Sequence, residues 1–280
     1  METLGYYNGE YGELCDMKVP MLDRGCYFGD GIYEVTYSRN YKMFAIEEHL
    51  DRFFRNAAEL DLNIAQPREE LKDILREMLS KLDCGEQMIY WQATRGTAPR
   101  SHVYPEDMQA NLWIMMKPGV IQDNFKKVAL MTAEDTRFLH CNIKTLNLLP
   151  SVMIATRTSR EGCHEAVLHR GGRVTEGSHS NVHIIKNGTF RTAPTDHLIL
   201  PGIARAHLIG ICKKNGIPVD ETAFTVDEMM EADEVIVSSS SCLCRGAYSI
   251  DGTEVGGRAP EILDLLCREA LKEFNGETDI

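Results

Sequence analysis

The 280-residue sequence lacks the features that mark membrane, secreted and zinc-stabilised proteins. It has no run of 18 consecutive apolar residues, so no segment is predicted to cross a bilayer as a helix. Its nine cysteines are widely scattered and form no CxxC pair, which argues against a zinc site or a disulfide framework. The first ten residues, METLGYYNGE, have neither a basic start nor an apolar core. We therefore expect no signal peptide and a cytoplasmic location.

Basic residues are also in deficit, because 30 Lys and Arg stand against 42 Asp and Glu, a formal net charge of −12. Such a surface is repelled by phosphates, so nucleic acids and anionic membranes are not expected partners. The chain has no GxSxG elbow and no ordered glycines of a P-loop or dinucleotide site. The HSNVH stretch (179–183) lies in a predicted strand and lacks the glutamate of HExxH, so no metal site is predicted.

What the chain does have is enough apolar sequence, 43% of all residues, for a globular protein of about two domains. Alternating patterns predict strands at 31–38, 41–45, 87–95, 110–117, 126–134, 164–169 and 233–238. Helical spacing predicts helices at 46–60, 68–82, 144–161, 200–216 and 260–274, and capping-box spacing in TVDE (225–228) predicts a short helix start. The KNG tripeptide (186–188) predicts a hairpin turn. The chain is thus predicted to have a mixed α/β (α+β) fold.

Two domains are predicted on either side of a Pro-Gly break in KPGVIQDN. Residues 1–118 are predicted to form a small N-terminal α/β domain, followed by a linker at 119–125. Residues 126–280 are predicted to form a larger C-terminal domain that carries Lys144.

The stretch CNIKTLNLLPSVMIA (141–155) places Lys144 at the head of an almost uninterrupted apolar segment. Helical spacing within it is shown by Leu146, Leu149, Met153 and Ile154. A lysine at the entrance of a buried helix either extends its ammonium to water or is kept inside for chemistry. From the residues alone, both readings stay open.

Two further stretches are candidates for chemistry. TEGSHSN (175–181) places Glu176 beside small hydroxyl residues, and TRGTAPRSH (94–102) presents Arg100 and His102 two residues apart. In extended backbone that spacing directs both side chains to one face, where the arginine fork suits a carboxylate. Taken singly, the first stretch also reads as a capped turn and the second as a solvated basic loop.

The combination and order of the motifs resemble a known family. They are RGCYFGDGIYEV (24–35), EEHLDRFF (47–54), TRGTAPRSH (94–102), IKTLNLL (143–149), TEGSHSN (175–181) and LPGIAR (200–205). The sequence resembles the fold-type IV pyridoxal-phosphate aminotransferases, and among them it looks most like the D-amino acid aminotransferases. The resemblance runs from about residue 5 to about residue 275.

The resemblance implies a two-domain fold-type IV structure and a site for pyridoxal 5′-phosphate. Lys144 would form the Schiff base and move a proton, and Glu176 would keep the pyridine nitrogen protonated. The implied phosphate ligands are Arg52, the backbone N–H groups of Ile203 and Ala204, and the hydroxyl group of Ser240. Ala204 stands where the family often has threonine, so we expect somewhat weaker cofactor retention.

The resemblance also implies how the substrate is held. Tyr33, Arg100 and His102 would bind the substrate carboxylate, with the last two reaching in from the neighbouring subunit of a homodimer. The implied reaction moves the amino group of a D-amino acid (D-alanine, D-glutamate or D-aspartate) to a 2-oxo acid. His179 departs from the usual serine, and Arg245 suggests a pocket for acidic side chains.

Three other functions remain open at this point. A branched-chain L-amino acid aminotransferase and an aminodeoxychorismate lyase share the implied lysine, and a protein that binds the cofactor without turnover is a further alternative. Arg100 and His102 favour the D-amino acid transaminase over the first two.

Overall fold

The computed structural model describes residues 1–279, which form two compact units. The first unit contains residues 1–120, 143–147 and the chain from Asn275 on; the second contains residues 121–142 and 148–274. The mixture of sheets and helices confirms the predicted fold class. None of the helices within residues 1–279 has the length and apolar content needed to cross a membrane.

The first unit is built on a six-stranded antiparallel sheet, with strand order β2-β1-β6-β5-β3-β4. The strands are β1 (Leu4–Tyr7), β2 (Glu10–Gly12), β3 (Gly31–Arg39), β4 (Lys42–Met43), β5 (Gln87–Thr94) and β6 (Asn111–Pro118). The helices are α1 (Arg24–Phe28), α2 (Ile46–Glu59) and α3 (Arg68–Ser80). The apolar faces of α2 and α3 are buried with the sheet side chains Ile89 and Trp91. This burial of apolar area is the main source of the unit's stability.

The second unit is built on a nine-stranded mixed sheet, with order β12-β11-β10-β13-β14-β7-β8-β9 and β15 beside β14. Its strands are β7 (Val128–Glu134), β8 (Glu165–Arg170), β9 (Arg173–Gly177), β10 (Asn181–Lys186), β11 (Thr189–Thr192), β12 (Val219–Asp220), β13 (Glu234–Ser238), β14 (Arg245–Ile250) and β15 (Thr253–Glu254). Its helices are α4 (Leu149–Arg160), α5 (Ile203–Lys214), α6 (Val226–Met230) and most of α7 (Pro260–Thr278).

Two predicted local signals are confirmed in the second unit. Asn187 and Gly188 both have positive φ, at 50° and 73°, and connect β10 to β11 as a tight hairpin turn. Thr225 and Glu228 form the reciprocal hydrogen bonds of a capping box at the start of α6.

The predicted helix start at Lys144 is wrong. Helix α4 begins at Leu149 and carries Pro150 in its first turn, the part of a helix where a missing N–H is tolerated. A helix starting at 144 would place Pro150 in its interior, at a cost of about 3 kcal/mol.

Residues 143–147 instead lie outside any helix and form an isolated bridge to β3, between Thr145 and Ile32. The N–H of Tyr33 donates to the carbonyl of Lys144 at 3.0 Å, and the N–H of Leu146 donates to the carbonyl of Gly31 at 3.0 Å. Because of this pairing, Lys144 groups with the first unit. The domain prediction had placed it in the C-terminal domain.

The apolar stretch that follows Lys144 is not a buried helix face. Leu149, Val152 and Met153 are 70%, 57% and 64% exposed, and they lie on one side of α4. The opposite side of α4 faces the sheet, with Thr158 buried and Ile154 packed against the core. We call Leu149, Val152 and Met153 the α4 stripe.

Candidate active site

The side chain of Lys144 lies against an aromatic ring from β3. Its Nζ is 4.3 Å from the ring centroid of Tyr33, and the side chain is half-buried. Tyr33 in turn stacks on Tyr90 of β5, with ring centroids 5.5 Å apart. A cation over an aromatic face is stabilised by the ring quadrupole, so this arrangement favours a fixed position for the ammonium group.

Arg52 lies in a buried network with two neighbours in the first unit. Its Nε and Nη2 each donate to Glu34 at 2.7 Å, and Nδ1 of His49 is also 2.7 Å from Glu34. Burial by itself would raise the pKa of Glu34, but Arg52 and His49 hold it at about 2. The two hydrogen bonds from Arg52 to Glu34 therefore fix the orientation of the guanidinium group.

The loop that carries Arg100 and His102 is exposed and is fastened to α1. The Arg100 guanidinium is 5.1 Å from the ring centroid of Phe28, and the His102 ring is also 5.1 Å away. Both side chains thus lie at the same ring, consistent with the predicted common face. Buried Arg24 donates to the carbonyl oxygens of Ser101 at 2.6 Å and His102 at 3.4 Å.

Glu176 is a buried carboxyl group in the second unit. Its Oε1 accepts from Arg137 at 2.5 Å, and its Oε2 accepts from the N–H of Leu200 at 2.9 Å and from Asn181 at 3.0 Å. Burial raises the pKa of Glu176 to about 7, against the opposing charge of Arg137. The group can therefore gain or lose a proton near neutral pH.

Ile203 and Ala204 are the first two residues of α5. The first N–H groups of a helix have no acceptor within the helix and carry partial positive charge, which suits a phosphate. A Cβ at the preceding residue, Gly202, would lie 2.0 Å from Oδ1 of Asn181 and would displace the amide that bonds Glu176. Ser240 lies separately, in the turn after β13, and is partly buried.

His179 is bonded to a buried carboxylate. Its Nδ1 lies 2.9 Å from Glu165, which also accepts hydrogen bonds from the hydroxyl groups of Ser178 at 2.6 Å and Ser180 at 2.8 Å. Burial opposes ionisation of Glu165, but these partners hold its pKa at about 2. The histidine therefore helps to hold the short loop that follows Glu176.

The structure contradicts the hypothesis that Arg245 selects acidic substrates. Arg245 is 5% exposed; its Nε and Nη2 donate to the carbonyl of Lys126 at 3.0 and 2.9 Å, and its Nη1 donates to Gln122. This guanidinium is buried, and each of its three nitrogens is bonded within the chain, so it is not presented to a substrate carboxylate.

Sequence reasoning missed the residues that orient the candidate site residues, namely Glu34, His49, Arg137 and Asn181. Glu34 and His49 stand inside two of the quoted motifs, and each is a polar residue on a strand or helix that also contributes to the core. Such placement is a usable signal, because a buried charged residue is almost always paired.

The comparisons with known proteins define the class. Residues 31–250 match the family model described as amino-transferase class IV. The chain therefore belongs to the class IV aminotransferases, and the predicted family is confirmed.

Relatives of this chain carry a more particular name. The D-alanine aminotransferase of Listeria monocytogenes (strain EGD-e) is 40% identical over 260 residues, 90% of each chain. That of Bacillus licheniformis is 38% identical over 270 residues, 95% of each chain.

Solved structures share the fold. The branched-chain amino acid aminotransferase of Escherichia coli has a TM-score of 0.90 at 23% identity, covering 100% of this chain and 96% of that chain. The enzyme from Thermoproteus uzoniensis, solved with norvaline, has a TM-score of 0.86 at 24% identity, covering 98% and 97%. At this identity the likeness concerns the fold alone.

Proposed function

We propose that this chain is a D-amino acid transaminase that moves the amino group of D-alanine, D-glutamate or D-aspartate to a 2-oxo acid. The observation that carries the proposal is the group of relatives named D-alanine aminotransferase, about 40% identical over nine-tenths of the chain. The Arg100–His102 pair at Phe28 supports it, because it offers donors suited to a substrate carboxylate.

The residues present fit pyridoxal 5′-phosphate by their chemistry. An amine for the Schiff base (half-buried Lys144), a carboxyl group for the pyridine nitrogen (buried Glu176) and N–H donors for the phosphate (the N-terminus of α5) are the groups that it needs. When bound, this cofactor supplies an electron-withdrawing ring that stabilises negative charge at the substrate Cα. The proposed phosphate ligands are Arg52, the N–H groups of Ile203 and Ala204, and the hydroxyl group of Ser240.

Lys144 is proposed to act through Nζ. The amine holds the cofactor covalently and, once displaced by the substrate amine, removes the proton at the substrate Cα. Glu176 is proposed to keep the pyridine nitrogen protonated, because an ionised carboxylate beside that nitrogen stabilises the positively charged ring.

Tyr33, Arg100 and His102 are proposed to bind the substrate carboxylate. With the Cα–H bond directed at Lys144, the position of the carboxylate decides which enantiomer fits. The Arg100–His102 loop is proposed to serve the neighbouring subunit of a cytoplasmic homodimer. The exposed α4 stripe supports a dimer, since aligned apolar side chains of this size are usually covered in an assembly.

A branched-chain L-amino acid aminotransferase is the second candidate. It shares the fold, since such enzymes match nearly the whole chain at 22% and 23% identity, and it was left open by the sequence. The two functions predict opposite enantiomers.

The absorption spectrum of the purified protein tests the proposal, titrated separately with D-alanine, D-glutamate and L-leucine. We expect conversion of the lysine-bound cofactor band with the D-amino acids alone. The Lys144→Ala variant is the control, and it should lack the lysine-bound band in every titration. Conversion with L-leucine alone would replace the proposal by the second candidate.

A further inference from the structure

A fully buried histidine connects three strands of the second unit. His183 lies on β10, and its Nδ1 is 2.9 Å from Oγ1 of Thr192, the last residue of β11. Its Nε2 is 2.8 Å from Oγ of Ser238, the last residue of β13. Its ring stacks on Phe190, with centroids 5.0 Å apart. Both ring nitrogens are therefore used within the protein.

The two ends of this chain of hydrogen bonds reach the two proposed phosphate-binding segments. Thr192 Oγ1 accepts from Nε of Arg205 at 3.3 Å, and Arg205 is the third residue of α5, directly after Ile203 and Ala204. Ser238 immediately precedes the turn that contains Ser240.

The arginine end is itself firmly held. Arg205 is 5% exposed, and its Nη2 donates to the carbonyl of Ala193 at 3.0 Å and to Glu221 at 2.7 Å. The start of α5 is thus fixed, and His183 and Thr192 transmit that fixed position to Ser238.

We propose that His183 is a positioning residue for the cofactor phosphate, which it serves by holding the turn around Ser240 in register with the start of α5. This inference rests on the proposed function and deepens it, because it names the residue that joins the two parts of the phosphate site.

The chemistry of the imidazole supports this role. Burial lowers the pKa of His183 to about 3, so the ring is neutral at physiological pH, with one N–H and one acceptor nitrogen. If Thr192 donates to Nδ1, then Nε2–H donates to Ser238. The hydroxyl group of Ser238 can then donate its own hydrogen to an acceptor other than the ring. All donors then run from the Arg205 guanidinium toward the serine turn, an order that an anion bound at that turn favours.

The test compares two ligands of the cofactor-free enzyme, pyridoxal 5′-phosphate and pyridoxal. Both can bond to Lys144, so the ratio of their dissociation constants reports the phosphate contribution alone. His183→Phe keeps an aromatic ring against Phe190. In this variant we expect the dissociation constant of pyridoxal divided by that of pyridoxal 5′-phosphate to fall roughly tenfold, the effect of about one charge-assisted hydrogen bond. Pyridoxal affinity should stay within about twofold of wild type.

Two amide variants, each of which can replace one ring nitrogen, and a control test the role further. His183→Gln places an amide near the Nε2 position and should restore part of the phosphate preference, whereas His183→Asn reaches only Thr192 and should not. The control is Thr158→Val, which removes another buried hydroxyl, bonded to the carbonyl of Ile154 in α4. It should leave the ratio unchanged.

The possible outcomes separate this inference from the proposed function. Equal losses of affinity for both ligands in His183→Phe, or no loss for either, would overturn the role of His183. A wild-type enzyme that shows no preference for the phosphate ester would instead overturn the proposed cofactor site.

Discussion

Lys144 and Tyr33 are joined twice, once through the main chain and once through their side chains. The N–H of Tyr33 donates to the carbonyl of Lys144 at 3.0 Å, and Nζ lies 4.3 Å from the Tyr33 ring centroid. Because the main-chain bond does not depend on either side chain, Tyr33 can be changed without displacing the lysine segment.

The first prediction follows from this pair. Tyr33→Phe keeps the ring over Nζ but removes the hydroxyl group proposed to meet the substrate carboxylate. We expect kcat/KM for D-alanine to fall about tenfold, the contribution of one hydrogen bond to a charged group. Steady-state kinetics measure this, and the cofactor absorption band of the resting enzyme is the control, which should not change. A lost band would mean that the hydroxyl serves the cofactor.

The second prediction concerns the Glu34–Arg52 pair. Glu34→Gln leaves the buried guanidinium with a neutral partner, and we expect the free energy of unfolding in urea to fall by about 3 kcal/mol at pH 7. In wild type the same contribution is present above pH 4.5 and is lost as the pH falls through about 2.

A surface pair provides the matched control for Glu34. Glu47 is exposed and pairs with Arg68 and Lys72, so Glu47→Gln should change the unfolding free energy by less than about 1 kcal/mol. Losses of similar size in the two variants would contradict the buried network.

The third prediction uses the raised pKa of Glu176. The folded, cofactor-free protein keeps the proton up to about pH 7, whereas the unfolded chain releases it near 4.5. Stability should therefore fall by about 3 kcal/mol as the pH rises from 4.5 through 7, because the native state binds more protons in that window. Urea unfolding at a series of pH values measures this. Glu176→Gln should lack this part of the pH dependence.

The fourth prediction tests the shared site of the proposed homodimer. Lys144→Ala and Arg100→Ala should each be nearly inactive alone. After unfolding and refolding as a mixture, half of the dimers are mixed, and each mixed dimer has one site with both native residues. We expect activity of about a quarter of wild type. No recovery, with mixed dimers verified by mass spectrometry, would place Arg100 in the site of its own subunit.

Local pattern was sufficient for much of the fold. The helical faces of α2 and α3, the Asn187–Gly188 turn and the capping box at Thr225 are all set by residues within a few positions of each other. Such signals need no knowledge of distant partners.

Strand β3 shows where local pattern stops. Its alternation would place Tyr33, Val35 and Tyr37 in the core, yet the buried face carries Glu34, Thr36 and Ser38. Each of these polar groups finds a partner from another element: Arg52 for Glu34, the carbonyl of Phe44 for Thr36 and the carbonyl of Gly85 for Ser38. Those partners cannot be read from the strand itself.

The same limit explains two errors about the candidate site. The run after Lys144 has the composition of a buried helix, but its first part bonds to β3, and Leu149, Val152 and Met153 are exposed. Arg245 was expected in a pocket for acidic side chains, but it begins β14, between β13 and β7. In both places the deciding contacts come from distant parts of the chain.

The pairing of residues 143–147 with β3 also bears on how the enzyme becomes active during folding. It closes a loop of about 110 residues, and contacts so far apart in sequence form slowly, after the local elements. The amine proposed to hold the cofactor thus reaches its native position only when this long-range contact has formed. A partly folded chain could contain both sheets and still have Lys144 out of place. The absorption band of the lysine-bound cofactor, followed during refolding with the cofactor present, would then report when this contact forms.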